Sequence, residues 1–252
     1  MKRISFLAPV LLLAASGSPA FAVDIHVTGA PGVKHSLLTL ADGFQRITRN
    51  RVIVGFGNAA AVTTKFDAGE RIDVLISSTG ELRDLTALGK LAGEPAPVGK
   101  TRVGVAVCNG GSSPDTSTPE KLKAALLTAP SFSYGDPARG ATAGVHFASV
   151  LTQLGVADQV KSRAQLREGD LEVIDEVAAG KAAFGFTQSS EITATSGCDI
   201  AGYLPDSLQL VTTYAIALTK DSKKPAAKAF IDFALGARGA EIFRTEGLDP
   251  LK

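Results

Sequence analysis

The chain has 252 residues, 45% of them hydrophobic, with 26 basic and 25 acidic side chains. A charge so close to balance, with no block of one sign, disfavours non-specific nucleic-acid binding, and zero Trp with three Tyr argues against aromatic stacking of sugars or bases. The length suits one large or two small domains with substantial cores.

Residues 1–22 read as a secretory signal peptide. Lys2 and Arg3 form a positive start, an apolar run from Ile4 to Ala15 is broken only by Pro9, and Ala20-Phe21-Ala22 supplies the small-x-small cleavage pattern. The run is too short for a bilayer span, which needs about 20 residues. No later stretch is long and apolar enough either. The mature chain is therefore expected to begin near Val23, with about 230 residues and a formal charge of about −1, soluble and periplasmic.

Strand-like and helix-like segments then alternate. Asp24 to Thr28 is a short β-rich run. His35 to Arg49 carries Leu37, Leu40, Ala41, Phe44 and Ile47 at helical spacing. Val52 to Phe56 is a strand, Ala59 to Ala68 a helix ended by Gly69, and Asp73 to Ser77 a third strand. Arg102 to Val107 is a strand. Ser117-Thr-Pro-Glu120 is expected to open a helix through a capping box. Ser131 to Gly135 is a strand, Ala143 to Leu154 a helix, and Leu171 to Ala179 another, closed by Gly180. Ala182 to Phe186 and Gln209 to Thr219 are strands. Pro225 to Leu235 and Ala240 to Thr245 are helices.

Such alternation implies an α/β fold with mostly parallel sheets flanked by helices. Ligands in these folds sit beyond the carboxyl ends of strands. Small-residue loops stand there: Gly29-Ala30-Pro31-Gly32, Gly57-Asn58-Ala59-Ala60, the run Asp136 to Gly144 containing Arg139-Gly140-Ala141-Thr142, and Thr187-Gln188-Ser189-Ser190. Ser77 and Ser78 end another strand. Each junction brings backbone N–H groups and the positive end of a helix dipole to one place, which suits an anion. One such loop would merely be a tight turn; their recurrence points to a shared cleft.

Four segments make a resemblance: Phe56-Gly-Asn-Ala-Ala-Ala-Val62, Asp67-Ala-Gly-Glu-Arg-Ile-Asp-Val-Leu-Ile-Ser77, Gly135-Asp-Pro-Ala138 and Gly185-Phe-Thr-Gln-Ser-Ser-Glu191. With their order along the chain, they resemble the periplasmic molybdate-binding proteins and, more broadly, type II solute-binding proteins of ABC transporters. The resemblance implies two lobes joined by crossing strands and closing on a ligand by hinge bending. It places a first lobe at 24–102 with a return segment at 214–252, and a second lobe at 103–213. It also implies an ABC transporter permease as partner. The protein is expected to act as a monomer.

Departures from that family bear on the ligand. The serines that molybdate binders carry in their first two loops align with Gly32 and Ala59, and their late-loop tyrosine aligns with Gln188. Arg139 adds a guanidinium, whose planar fork suits a carboxylate, although a solvated loop arginine is the plain alternative. A small organic carboxylate is therefore expected in place of molybdate. Proteins resembling this family also include a periplasmic aconitate isomerase, which moves a proton within a tricarboxylate. On that reading His35, His146 or Glu191 would be the base and Arg139 the carboxylate clamp.

Other motifs are absent or incomplete. Gly99-Lys100-Thr101 resembles the end of a P-loop, but Glu94 stands where the first glycine is required. There is no GxSxG or HExxH. No motif calls for a cofactor, and Cys108 and Cys198 alone cannot build a structural zinc site. In an oxidising compartment these two either form one disulfide or remain small unpaired hydrophobes. Both lie near the implied lobe crossings, where they are expected to be close enough to bond.

Overall fold

The computed structural model describes residues 23–251. The signal peptide read over residues 1–22 lies outside the described residues. The first part of the fold runs β1 (Asp24–Gly29), α1 (Lys34–Thr48), β2 (Arg51–Phe56), α2 (Ala59–Asp67), β3 (Val74–Ser78), α3 (Thr79–Ala87) and β4 (Ala96–Cys108). It continues with α4 (Pro119–Thr128), β5 (Phe132–Gly135), α5 (Thr142–Gln153), α6 (Ala157–Val160), β6 (Ala164–Arg167), α7 (Asp170–Ala178), β7 (Gly185–Gln188), α8 (Ser189–Thr193) and β8 (Cys198–Tyr203). The chain ends in β9 (Val211–Leu218), α9 (Pro225–Leu235) and α10 (Ala237–Thr245). Among the described residues no helix is long and apolar enough to cross a membrane.

The strands follow the order β2-β1-β3-β9-β4-β7-β5-β6, with β8 also paired to β4. β1 is parallel to β2 and β3, and β5 is parallel to β6 and β7. The exceptions to parallel pairing lie in the middle. β9 runs antiparallel to β3 and to β4 from Ala96 to Arg102. From Val103 onward β4 pairs antiparallel with β7 and β8. One 13-residue strand thus serves two sheets, and its change of partner falls between Arg102 and Val103.

Each sheet buries apolar side chains on both faces, as parallel strands covered by helices require. In the first lobe Leu37, Leu40, Ala41 and Phe44 of α1 meet β1, β3 and Phe230 of α9 on one face; Val62, Leu82 and Leu85 cover Leu75 on the other. In the second lobe Phe132, Phe147, Phe184 and Phe186 fill one face, while Ile174, Val177 and Ile192 cover Ala106 on the other. Cys108 and Cys198 are cross-strand partners on β4 and β8 and form a disulfide.

Three local details differ from the sequence reading. The cap of α4 is Thr118, whose Oγ1 accepts from Lys121 N (3.3 Å), not Ser117. Pro119 explains this: its fixed φ and missing N–H place it at the first helical position, so the cap is the residue before it. The strand read at 182–186 pairs at Gly185–Gln188, which puts Thr187 and Gln188 inside the sheet. The short elements α3, α6, β6 and β8 have no counterpart in the sequence reading.

Candidate functional site

Junctions from both sheets open onto one cleft of ≈ 240 Å³. The first lobe contributes Ala30, Pro31 and Gly32 after β1, Asn58 after β2, and Ser77, Ser78 and Glu81 around the end of β3. The second contributes Arg139 to Thr142 after β5, Glu168 to Asp170 after β6, and Gln188 and Glu191 at the end of β7. Tyr214 of β9 completes the wall.

The cleft collects helix N-termini. Asn58, Ser78, Ala141, Gly169 and Gln188 are the N-cap residues of α2, α3, α5, α7 and α8, and all of them line it. Asn58 Oδ1 accepts from Ala61 N (3.0 Å) and Ser78 Oγ from Glu81 N (3.2 Å), so these caps are held in place by their own helices. The partial positive ends of the helices therefore face a common space.

Two glycines allow close approaches here. A Cβ on Gly32 would stand 2.2 Å from the Tyr214 hydroxyl, so glycine lets the phenol reach the β1 loop. A Cβ on Gly144 would stand 2.0 Å from the carbonyl oxygen of Gly135, so glycine lets α5 start directly against the end of β5. Contacts also cross between the lobes. Asn58 Nδ2 donates to the Arg139 carbonyl (3.0 Å), and Ser190 Oγ donates to the Gly32 carbonyl (2.8 Å).

Sequence reasoning missed Glu81, Glu168, Gly169, Asp170 and Tyr214, and they change the electrostatics. Asp170 is buried, and burial pushes its carboxyl up to about 6, against the lowering effect of bonds from the Ala143 and Gly144 N–H groups. Burial, with the charge of Asp170 beside it, holds Glu191 well above the usual carboxylate range. Burial also raises Glu81, partly offset by its bond from the Ser77 hydroxyl. Burial and these three carboxyls raise the Tyr214 phenol. These carboxyls therefore hold a proton to higher pH than ordinary ones do, and a neutral carboxyl can donate as well as accept.

Arg139 lines the cleft at its mouth. Its side chain is 60% exposed and pairs with Glu168 at 3.1 Å. Gln188 is buried, its Nε2 reaching Thr212 Oγ1 (3.4 Å) and its Oε1 without a partner in the protein. Ser189 and Ser190 sit behind the wall. Ser189 Oγ bonds Thr101 Oγ1 (2.8 Å), which anchors α8 to β4. Ala59 and Ala60 begin α2 directly after Asn58. His35 lies in the first turn of α1 and His146 Nε2 bonds the Leu208 carbonyl (2.8 Å); neither histidine lines the cleft. Of the candidate bases, Glu191 alone reaches the cleft. Among the described residues no group of His, Cys, Asp and Glu is arranged to hold a metal ion.

Comparison with known proteins agrees with this architecture. Aconitate isomerase of Pseudomonas sp is 28% identical over 263 aligned residues, covering 99% of this chain and 97% of that one. The molybdate-binding protein ModA of Escherichia coli (strain K12) is 24% identical, covering 88% of each. The periplasmic molybdate-binding protein of Azotobacter vinelandii superimposes with a TM-score of 0.75 at 19% identity, covering 90% of this chain and all of that one, which shows a shared type II fold. The family model described as bacterial extracellular solute-binding protein matches residues 25–249, and the chain belongs to that family.

Proposed function

We propose that the protein captures a small organic polycarboxylate between its lobes, in the periplasm, and delivers it as a monomer to an ABC transporter permease. The lobes that close are assigned to residues 24–102 with 214–252, and to 103–213. The observation that carries this reading is the convergence of helix N-caps from both lobes on one cleft, since their dipoles favour a negative ligand. Arg139 is the one cation among the described lining residues and is placed to meet a carboxylate at the mouth. The cleft volume suits a compact solute. The molybdate serines are absent at Gly32 and Ala59, which favours an organic acid over the oxyanion.

A screen of melting temperature with cis- and trans-aconitate, citrate, molybdate, sulfate and putrescine tests this. A matched tricarboxylate at 100 times its Kd should add about 2.7 kcal/mol. Arg139→Ala should weaken that ligand roughly 10- to 150-fold, the equivalent of about 1.5–3 kcal/mol for a charged hydrogen bond. Stabilisation by molybdate or putrescine alone would overturn the reading.

One observation favours a second activity. The full-length similarity to an aconitate isomerase coincides with buried carboxyls on the cleft wall that have free oxygens. Such a group can take a proton from one carbon of a bound tricarboxylate while a neutral acid returns one to another. Incubation with cis-aconitate, followed by proton NMR, separates the two. Formation of the trans isomer makes the protein an enzyme, and an unchanged spectrum leaves it a carrier.

A further inference from the structure

Two strand–helix junctions, one in each lobe, are built to one pattern. At the end of β3, Ser77-Ser-Thr-Gly-Glu81 places a hydroxyl on the strand, a cap at Ser78 and a glutamate in the first turn of α3. At the end of β7, Thr187-Gln-Ser-Ser-Glu191 repeats the arrangement, with Gln188 as cap of α8. The Ser77 hydroxyl donates to Glu81 Oε2, and the Thr187 hydroxyl donates to Glu191 Oε2. In each case Oε1 is buried and has no partner in the protein. Both glutamates line the cleft, and Glu191 is only 1% exposed. A buried carboxyl oxygen without a partner in the protein is costly, and two of them on side chains that line one cleft point to a ligand that bonds them.

We propose that Glu81 and Glu191 form a matched pair, one from each lobe, that holds the ligand through their unpartnered Oε1 atoms as protonated acids, so that capture of a polycarboxylate takes up protons. The inference rests on the carboxylate reading above. Ionised, the pair would repel a ligand that the helix N-termini attract. Protonated, each acid donates an O–H to a ligand carboxylate, a short and strong bond.

The surroundings raise the proton affinity of both glutamates. Asp170 and Glu172 of α7 face Glu191, Asp84 lies one turn along α3 from Glu81, and Tyr214 of β9 stands near both glutamates. Arg139 and Glu168 meet each other at the mouth. After burial, the charge of Asp170 is the largest influence on Glu191, and it raises that carboxyl further.

Titration calorimetry with trans-aconitate at pH 7.5, in two buffers of different ionisation enthalpy, counts the protons taken up. Wild-type protein should take up about one proton or more per ligand, and its affinity should fall as pH rises. Glu81→Gln and Glu191→Gln each keep a permanent N–H donor but cannot titrate. Each should lower the uptake, flatten the pH dependence and keep affinity within about tenfold, since one hydrogen bond replaces another. Binding without proton uptake, or uptake unchanged in both variants, overturns the pairing while leaving the carboxylate reading intact. No heat with any carboxylate overturns both. Should Glu191→Gln fail to fold, as its melting curve would show, the half-buried Glu81 decides alone.

Discussion

The two lobes share a plan, three parallel strands edged by antiparallel β9 or β4, yet they are held together by different means. The first is assembled from distant parts of the chain. Phe44 of α1 packs edge-on against Phe230 of α9 at 5.3 Å between centroids, and Asp73 receives Lys224 Nζ (2.7 Å) and Ser222 Oγ (2.8 Å) across some 150 residues of sequence. The second lobe is one continuous stretch. It relies on a cluster of rings, with Phe147 stacked on Phe186 at 3.8 Å, and on the Cys108–Cys198 disulfide where β4 meets β8. A lobe built from two ends of the chain needs a polar tie that names its partner. A lobe closed within one segment is served by packing and a covalent staple.

The largest expected effect tests whether the lobes are separable. Phe147→Ala should cost about 3–5 kcal/mol. Hydrogen exchange should accelerate at Phe132–Gly135 and Gly185–Gln188 and stay slow in β1 and β9. Phe230→Ala should do the reverse. Equal loss of protection in both lobes would make them one cooperative unit and end the contrast.

Next in size is the disulfide, which closes a loop with a sequence separation of 90. Replacing Cys108 and Cys198 together by Ala should lower stability by about 2–4 kcal/mol. Exchange should rise along β8 and the end of β4, with ligand affinity unchanged. A variant as stable as the parent would show that packing alone holds the second lobe.

The smallest effect sharpens the comparison through pH. Asp73 is buried, which raises its carboxyl, but bonds from the His26 N–H, Lys224 and Ser222 outweigh this and leave it below its ordinary value. Its contribution is therefore complete above the unfolded pKa of about 3.9 and is lost as pH falls through the lower folded value. Asp170 has the opposite sign. Pushed up to about 6, its contribution is present below its unfolded pKa and lost as pH rises through about 6. Acidifying the ligand-free protein from pH 7 to 5 should thus stabilise the second lobe by about 1–2 kcal/mol, with the first lobe's tie intact. Asp170→Asn should flatten that dependence. A melting temperature that falls over this range in the parent would contradict the assignment.

Much of this arrangement could be read in the sequence, because strand ends followed by small residues have a direct physical meaning. Ala30 to Gly32, Asn58, Ser77 and Ser78, Arg139 to Thr142 and Gln188 all border the cleft. What escaped did so for identifiable reasons. Helix α3 follows β3 with no breaker between them and carries Gly80 in its first turn, so its polar sequence gave no helical signal and Glu81 went unplaced. Strand β6, Ala-Gln-Leu-Arg, is four residues long without β-branched side chains, and missing it hid the loop that carries Asp170. Tyr214 was read as strand interior. Its approach to the cleft depends on Gly32, a contact between distant residues that no local pattern encodes. A signal for Glu81 did exist, in the kinship of Ser-Ser-Thr-Gly-Glu and Thr-Gln-Ser-Ser-Glu at two strand ends.

The crossing strands have a consequence for how such a molecule can change over generations. Arg102 and Val211 are cross-strand partners, so the chain leaves the first lobe and returns to it at neighbouring points. Segments whose ends lie side by side can be inserted, exchanged or removed with little disturbance to the host. The second lobe is in this sense a cassette. One recombination event with junctions near these two residues would replace half of the ligand cleft and leave the other half untouched. A lineage could thereby acquire a new solute, or a new chemistry, without refolding the lobe that stays behind.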